Sequence, residues 1–236
     1  MQTRIHLIRH GESAANAGLP TDDPALIPLT EAGHRQAETV AELLKIRPSL
    51  VIASPYKRTQ DTSSPFAERW SAQIAHDSLL HEFTTLAPAT VVGMDVYARK
   101  PLVDAYWNAA DPNLMHGTGA ETFIEFASRV RAFRLGLHKL PDQTVIFGHG
   151  MWFAMMVWQL QGFGFDNTIS MRAFRRFQLG LPMPNCGIYT LTSQGKDAWA
   201  VKFQEDIYKA LVQRLGFAPG AGAAEVLLAH PDGPPN

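Results

Sequence analysis

Cysteine is almost missing from this 236-residue chain: Cys186 stands alone. One thiol excludes an internal disulfide framework and a multi-cysteine zinc site, and it fits a reducing compartment. A surplus of either charge is also missing, since 21 Lys and Arg against 22 Asp and Glu leave a formal net charge of −1. That balance speaks against a nucleic-acid partner and against a membrane surface. The most apolar run, "MWFAMMVWQL" (151–160), is far shorter than the roughly 20 residues needed to cross a bilayer and reads as a buried helix. "MQTRIHLIRH" at the start lacks the apolar stretch of a signal peptide, so the chain is expected to be cytoplasmic. Internal repeats are absent too.

What is present alternates between strand-like and helix-like runs. "TRIHLI" (3–8) is short, β-branched and apolar, as a central strand would be. Thr30 is placed to cap a helix over 31–45, in which Ala37, Val40, Ala41 and Leu44 share one face. "LVIAS" (50–54) predicts a second strand, with Ser54-Pro55 as the N-cap and first turn of a helix broken near Pro65. Segment 78–118, with Pro88, Gly93, Pro101, Pro112 and Gly117, predicts short elements and loops forming a lid or rim. Thr118 and Glu121 have capping-box spacing ahead of a helix running to about His138.

"TVIFGHG" (144–150) reads as a further strand, followed by helices over 151–161 and 166–177. "CGIYTLTSQGKDAWAVKF" (186–203) reads as two strands turning at Gln194-Gly195, with a helix at 205–215. The whole predicts an α/β three-layer sandwich, its sheet mostly parallel and helices on both faces. Residues 1–216 are expected to form one domain, and 217–236, rich in Gly, Ala and Pro, a mobile tail in which 226–228 could dock.

In such sheets a ligand binds beyond the carboxyl ends of the strands. Three predicted strands end at Arg9-His10, at Ser54 with Arg58 one turn on, and at His149-Gly150. Were these strands parallel neighbours, two arginines and two histidines would meet on one edge, beside helix N-termini. That combination suits a phosphate dianion.

"LIRHGESAAN", "LTEAGHRQA", "VIASPYKRTQDT", "GAETFIEFASRV" and "VIFGHG" resemble, in order and spacing, the motifs of the histidine phosphatase superfamily, in the branch that contains the cofactor-dependent phosphoglycerate mutases. The resemblance covers roughly 1–205. It implies that His10 is a transiently phosphorylated nucleophile, that Arg9, Arg58 and His149 hold the phosphoryl group, and that Asn16 joins them. It also implies a phosphoglycerate mutase-like fold and chemistry that calls for no metal and no cofactor, with a small phosphorylated molecule as the partner.

The chemistry is consistent with the residues. A histidine attacks phosphorus only as neutral imidazole, and nearby arginines disfavour its protonation while their planar forks match the phosphoryl oxygens. The family places an acidic proton donor after the second strand and helix, and "LLHEFTTL" supplies Glu82. Beside a phosphate dianion such a carboxyl is expected to keep its proton near neutral pH, because ionising it would set like charges together. Phe83-Thr84-Thr85-Leu86 replaces the commoner family run after this acid, which alters the pocket wall. His81 competes as donor, but in an extended segment it would face the other way.

Plainer readings cover the remaining candidates. His6 and His10, about 13 Å apart along a strand at ~3.3 Å per residue, are too distant for one metal ion, and His6 is expected to be packed. Glu121 is assigned to its capping box, Met151, Trp152, Phe153, Met155, Met156 and Trp158 to the core, and Cys186 to a small buried position. Arg9 taken alone would be a surface or capping residue, and Asn16 a routine cap. "PNCG" lies where the family it resembles commonly has a Pro-Asn segment bordering the pocket, and is left outside the site. His34, His76, His116, His138 and His230 have no identified partners.

A phosphomonoesterase acting through phosphohistidine is the leading expectation. A mutase, returning the phosphoryl group to an isomeric hydroxyl, is the first alternative; only Arg99 and Lys100 lie in 83–118 to match the longer basic insertion of known mutases. A phospho-ligand binding protein without turnover is the second. Neither the physiological substrate nor the oligomeric state is legible.

Overall fold

The computed structural model describes residues 2–195 and 197–216, so the expected tail over 217–236 lies outside the described residues. Six strands form one sheet: β1 (Arg4–Arg9), β2 (Leu50–Ala53), β3 (Ile74–His76), β4 (Thr144–Gly148), β5 (Ile188–Ser193) and β6 (Trp199–Phe203). Their spatial order is β3-β2-β4-β1-β5-β6. The first four run parallel, and β5 and β6 continue the sheet antiparallel from β1. Register places Arg9 opposite Gly148 and Ala53 opposite Phe147, so β2, β4 and β1 end level on the same edge.

Central parallel strands are covered on both faces and so are apolar on both. Ile5, Leu7, Ile52 and Ile146 enter one core; Ile8, Val51, Ala53, Val145 and Phe147 enter the other. The second core is covered by α1 (Glu31–Leu43), α2 (Lys57–Trp70) and α8 (Glu205–Leu215). The first is covered by α4 (Val96–Ala109), α5 (Phe123–Arg134), α6 (Gly150–Leu160) and α7 (Thr168–Gly180), with the one-turn α3 (Pro88–Val91) lying at the rim. This is the expected three-layer sandwich. Trp152, Phe153, Met155, Met156 and Trp158 of α6 are buried in the first core, as expected, and Met151 packs against it.

Several boundaries differ from expectation. Thr30 caps α1, its Oγ1 accepting from the Gly33 N–H at 3.0 Å, but α2 begins at Lys57 behind Tyr56, which makes no side-chain cap. Ser54 is drawn elsewhere, to His149. Nor does Pro65 break α2: the N–H it removes is offset where Phe66 and Ala67, the next two residues, are buried on the sheet. Segment 78–118 holds the 14-residue α4 despite Pro101, capped by Asp95 Oδ1 on the Ala98 N–H (2.8 Å) and anchored by buried Tyr106 and Trp107.

The capping box of α5 is Thr122 with Glu125, four residues past the expected pair, and the helix stops at Arg134, ahead of a 3-10 turn at Leu137–Lys139. Glu121 is thereby released from the capping role assigned to it. The short β3 follows no apolar pattern of its own and is recruited by β2. Cys186 is buried, as expected, in a left-handed conformation (φ 57°), and burial pushes its thiol up to about 12.

Candidate active site

The turn after β1 is fixed by two glycines through close approach. A Cβ on Gly33 would lie 2.0 Å from the Glu12 carbonyl oxygen, and one on Gly11 would lie 2.6 Å from that of Gly33. Only backbone without side chains lets the N-terminus of α1 pack against the turn carrying His10. Thr62 Oγ1 accepts from the Gly11 N–H (2.9 Å), Gln36 Oε1 from the Glu12 N–H (2.8 Å), and Gly148 O from the His10 N–H (3.0 Å). Gly11 therefore lies past the end of β1, in the turn.

His10 is buried, and its hydrogen bonds define its tautomer. Nδ1 donates to the Gly11 carbonyl at 2.7 Å, and Nε2 accepts from Arg58 Nε at 3.2 Å. Nε2 thus carries the lone pair. The His149 ring lies 5.3 Å from it, centroid to centroid, with Tyr56 a further neighbour of His149 at 5.2 Å. His149 Nε2 is hydrogen-bonded to Ser54 Oγ at 2.8 Å, while its buried Nδ1 has no hydrogen-bond partner among the described residues. Ser54 extends the site in a way the sequence assigned to helix capping.

Charge and burial reinforce the neutral state. Burial first, then Arg58 and Arg9, hold the His10 imidazole well below its ordinary range, against the opposing Gly11 carbonyl. His149 is lowered likewise, by burial and then by Arg58, His10, His81 and Arg9. Burial takes Arg58 down to about 10, against the raising effect of Glu82 and Tyr56. Arg58 Nη1 also donates to the Pro24 carbonyl at 2.7 Å, and Arg9 Nη1 donates to that of Met183. The four expected cationic and imidazole groups are therefore brought together on one edge.

Glu82 stands beside them. Its carboxylate accepts from the N–H groups of Phe83 (2.9 Å), Met151 (3.0 Å) and Trp152 (3.1 Å), which fixes it at the N-terminus of α6. Glu82, Arg58, Tyr56 and Pro24 line a cavity of about 200 Å³ together with residues 83–86, Val91 and Arg99 of the rim segment. The rim segment thus does form the pocket wall. Arg99 Nη2 ties it to the 20–28 loop through Thr21 O (3.0 Å) and Thr21 Oγ1 (2.5 Å), and binds Met94 O (2.6 Å).

Asn16 joins the turn that carries His10. Its Oδ1 accepts from Ser13 Oγ (3.1 Å) and from Asn185 Nδ2 (3.1 Å), and that Asn185 amide also donates to the His10 carbonyl (3.0 Å). Asn185 is the residue that "PNCG" signalled. His81 Nδ1 donates to the Ser78 carbonyl (2.6 Å), and its Nε2 lies 3.4 Å from Glu121 Oε1. His6 is packed, hydrogen-bonded to Thr190 Oγ1 (3.0 Å) and to the Gln143 amide (2.9 Å). Among the described residues no group of three or more His, Cys, Asp or Glu could hold a metal ion, and no helix is long and apolar enough to cross a membrane.

Residues 5–206 match the model of the histidine phosphatase superfamily, branch 1. The chain belongs to this superfamily. Within it, the chain is 26% identical over 216 residues to the probable phosphoglycerate mutase GpmB of Erwinia tasmaniensis, covering 86% of this chain and 93% of that protein. It is 30% identical over 131 residues to the uncharacterized protein Rv0525 of Mycobacterium tuberculosis, covering 55% of this chain and 63%, under two thirds, of that relative's length. The fold is shared with the solved mycobacterial glucosyl-3-phosphoglycerate phosphatase Rv2419c, at a TM-score of 0.65 and 21% identity over 86% of this chain and 98% of that one.

Proposed function

We propose that this superfamily member is a metal-independent phosphomonoesterase that works through a phosphohistidine on His10. The observation that carries the reading is the tautomer: Gly11 O holds the proton on Nδ1, so Nε2 presents a lone pair toward Arg58. Arg58 Nε now rests on the lone pair that must attack, and arriving phosphoryl oxygens would take over that donor.

Nε2 attacks phosphorus, the ester P–O bond breaks, and the leaving oxygen takes the proton of the Glu82 carboxyl. Glu82, now a carboxylate, removes a proton from water as water attacks phosphorus; the P–N bond breaks, its electron pair returning to Nε2. Arg9, Arg58 and His149 hold the equatorial oxygens throughout, supplying charge stabilisation where charge develops. Asn16 and Asn185 hold the turn beneath the nucleophile.

Phosphatase is favoured over mutase by the wall. Lys100 is paired with Asp104, and Arg99 is engaged by Thr21 and Met94, so the segment offers few cations to retain a phosphorylated acid for re-phosphorylation. The substrate class we propose is a small phosphorylated molecule, a reading supported by the cavity of about 200 Å³ that borders Arg58 and Glu82.

The test is p-nitrophenyl phosphate hydrolysis in EDTA by the parent protein and by His10→Ala. The parent is expected to turn over and the variant to lose at least about a thousandfold. Turnover surviving the substitution would remove His10 as nucleophile, and an inert parent would favour the binding-protein alternative.

A further inference from the structure

Glu82 lies on a stretch, 81–87, that belongs to no helix or strand, yet a general acid must be placed within hydrogen-bond reach of the leaving oxygen. One ion pair holds that stretch on both sides of it. Arg129 of α5 donates through Nη1 to the carbonyls of Leu79 (2.7 Å) and His81 (2.9 Å). Its Nε and Nη2 donate to Glu121 Oε1 and Oε2, both at 2.9 Å.

Glu121 Oε2 in turn accepts from the Thr84 N–H (3.2 Å), and Oε1 faces His81 Nε2. Residues 79, 81 and 84, which bracket the acid, are thus all bonded by two side chains that are only 10% and 18% exposed, with Trp152 Nε1 also donating to the Leu79 carbonyl (2.7 Å) and the Glu121 N–H to that of Thr84 (2.9 Å). Burial alone would raise the Glu121 carboxyl, but hydrogen bonds from His81 and Arg129, the Arg129 charge and the Thr84 N–H hold it down to about 2.

We infer that Glu121 and Arg129 are positioning residues for the proton donor: their bidentate pair fixes the main chain on either side of Glu82, while the α6 N-terminus fixes its carboxylate. The inference rests on the reading of Glu82 as the acid. A planar guanidinium is suited to this task, because one group binds a carboxylate with one edge and two carbonyls with another, which a lysine cannot do. Displacing a catalytic group by about 1 Å can cost on the order of a hundredfold.

The discriminating measurement is the dependence on leaving group. p-Nitrophenolate departs with little protonation, whereas β-glycerophosphate releases a poor alkoxide. In Glu121→Gln and Arg129→Lys, β-glycerophosphate hydrolysis is expected to slow by about 10- to 100-fold and p-nitrophenyl phosphate hydrolysis by less than about threefold. Adding either substitution to Glu82→Gln is expected to bring no further discrimination between the two esters.

Equal slowing of both esters in folded variants, or a discrimination that persists undiminished in the Glu82→Gln background, would overturn the inference. Thermal unfolding checks folding; Arg129→Lys keeps the charge and carries the test should Glu121→Gln not fold. Glu82→Gln alone separates the two levels. If it slows both esters equally, the acid assignment and this inference fall together; if it discriminates and the other variants do not, only the positioning role falls.

Discussion

Arg9, His10 and His149 come from the carboxyl ends of two adjacent parallel strands and Arg58 from the first turn of the helix that follows a third, whereas Glu82, Thr84 and Arg99 come from a wall whose main chain between Glu82 and Pro88 makes no ladder. The first group is held from below by the sheet: the N–H groups of His10 and Ser54 bond the carbonyls of Gly148 and Phe147. The second is held from the side, by Arg129, Glu121, the α6 N-terminus and the Arg99 bridge to Thr21. In the proposed reaction the phosphoryl group is the same in every ester, so the receptor we assign to the strand-end cluster can be built into rigid backbone. Leaving groups differ, and a wall secured by side chains can change residue by residue without disturbing the sheet.

The sharpest way to break this contrast is to remove a donor from the strand-end cluster. Arg58→Ala is expected to lower kcat by about 100- to 1000-fold for every ester alike, because it removes a donor aimed at the transition-state oxygens. Inorganic phosphate is expected to raise the Tm of the parent by mass action and to raise that of Arg58→Ala far less. A loss that varied strongly with the leaving group would place Arg58 in the wall instead.

Glu82→Gln tests the other side. Expected is a loss of about 100-fold or more for β-glycerophosphate and a small loss for p-nitrophenyl phosphate, in steady-state rates measured side by side.

Two glycines compare the regions in stability. Gly33→Ala drives a Cβ into the Glu12 carbonyl and is expected to cost about 1–3 kcal/mol and to move the His10 turn, lowering activity as well. Gly93, at φ 70° in the wall with open space about its Cα, is expected to cost only about 1 kcal/mol as Ala, with activity retained. Denaturant unfolding and turnover of both variants decide this; equal functional losses would erase the distinction.

The smallest effects concern pH. Both His10 and His149 are held below 6.5, so NMR titration is expected to find both rings neutral at pH 6.5 and protonating only at lower pH. A group whose folded value is depressed contributes stability above its unfolded value and loses it as pH falls. Glu121, held at about 2 against an ordinary 4.5, is therefore expected to add an acid-unfolding component across that interval, which Glu121→Gln removes.

Legibility in the sequence follows the same division. Every strand but β3, and α1, α6 and α8, were readable because each buries a face through its own periodicity, and the four cluster residues because each follows such a strand directly or by one helical turn. Pro65 and Pro101 misled in the same way: a proline's cost to a helix is local, but anchors such as Phe66 and Trp107 repay it through contacts that no local pattern displays. Glu121 and Ser54 were both assigned to helix caps because the spacing allowed it, whereas their partners, Arg129 and His149, lie 8 and 95 residues away. Asn185 carried a signal in "PNCG" without a partner to give it meaning.

Sequence by itself determined the layered architecture, the parallel edge and the gathering of histidines and arginines at that edge, because alternation of apolar runs and the residues at their ends are local properties. Tertiary structure alone decided which imidazole nitrogen carries the lone pair, where the Glu82 carboxylate rests and what holds it there. Those depend on hydrogen bonds between groups far apart in the chain, whose geometry exists only once the sheet and its two helical layers have closed around them.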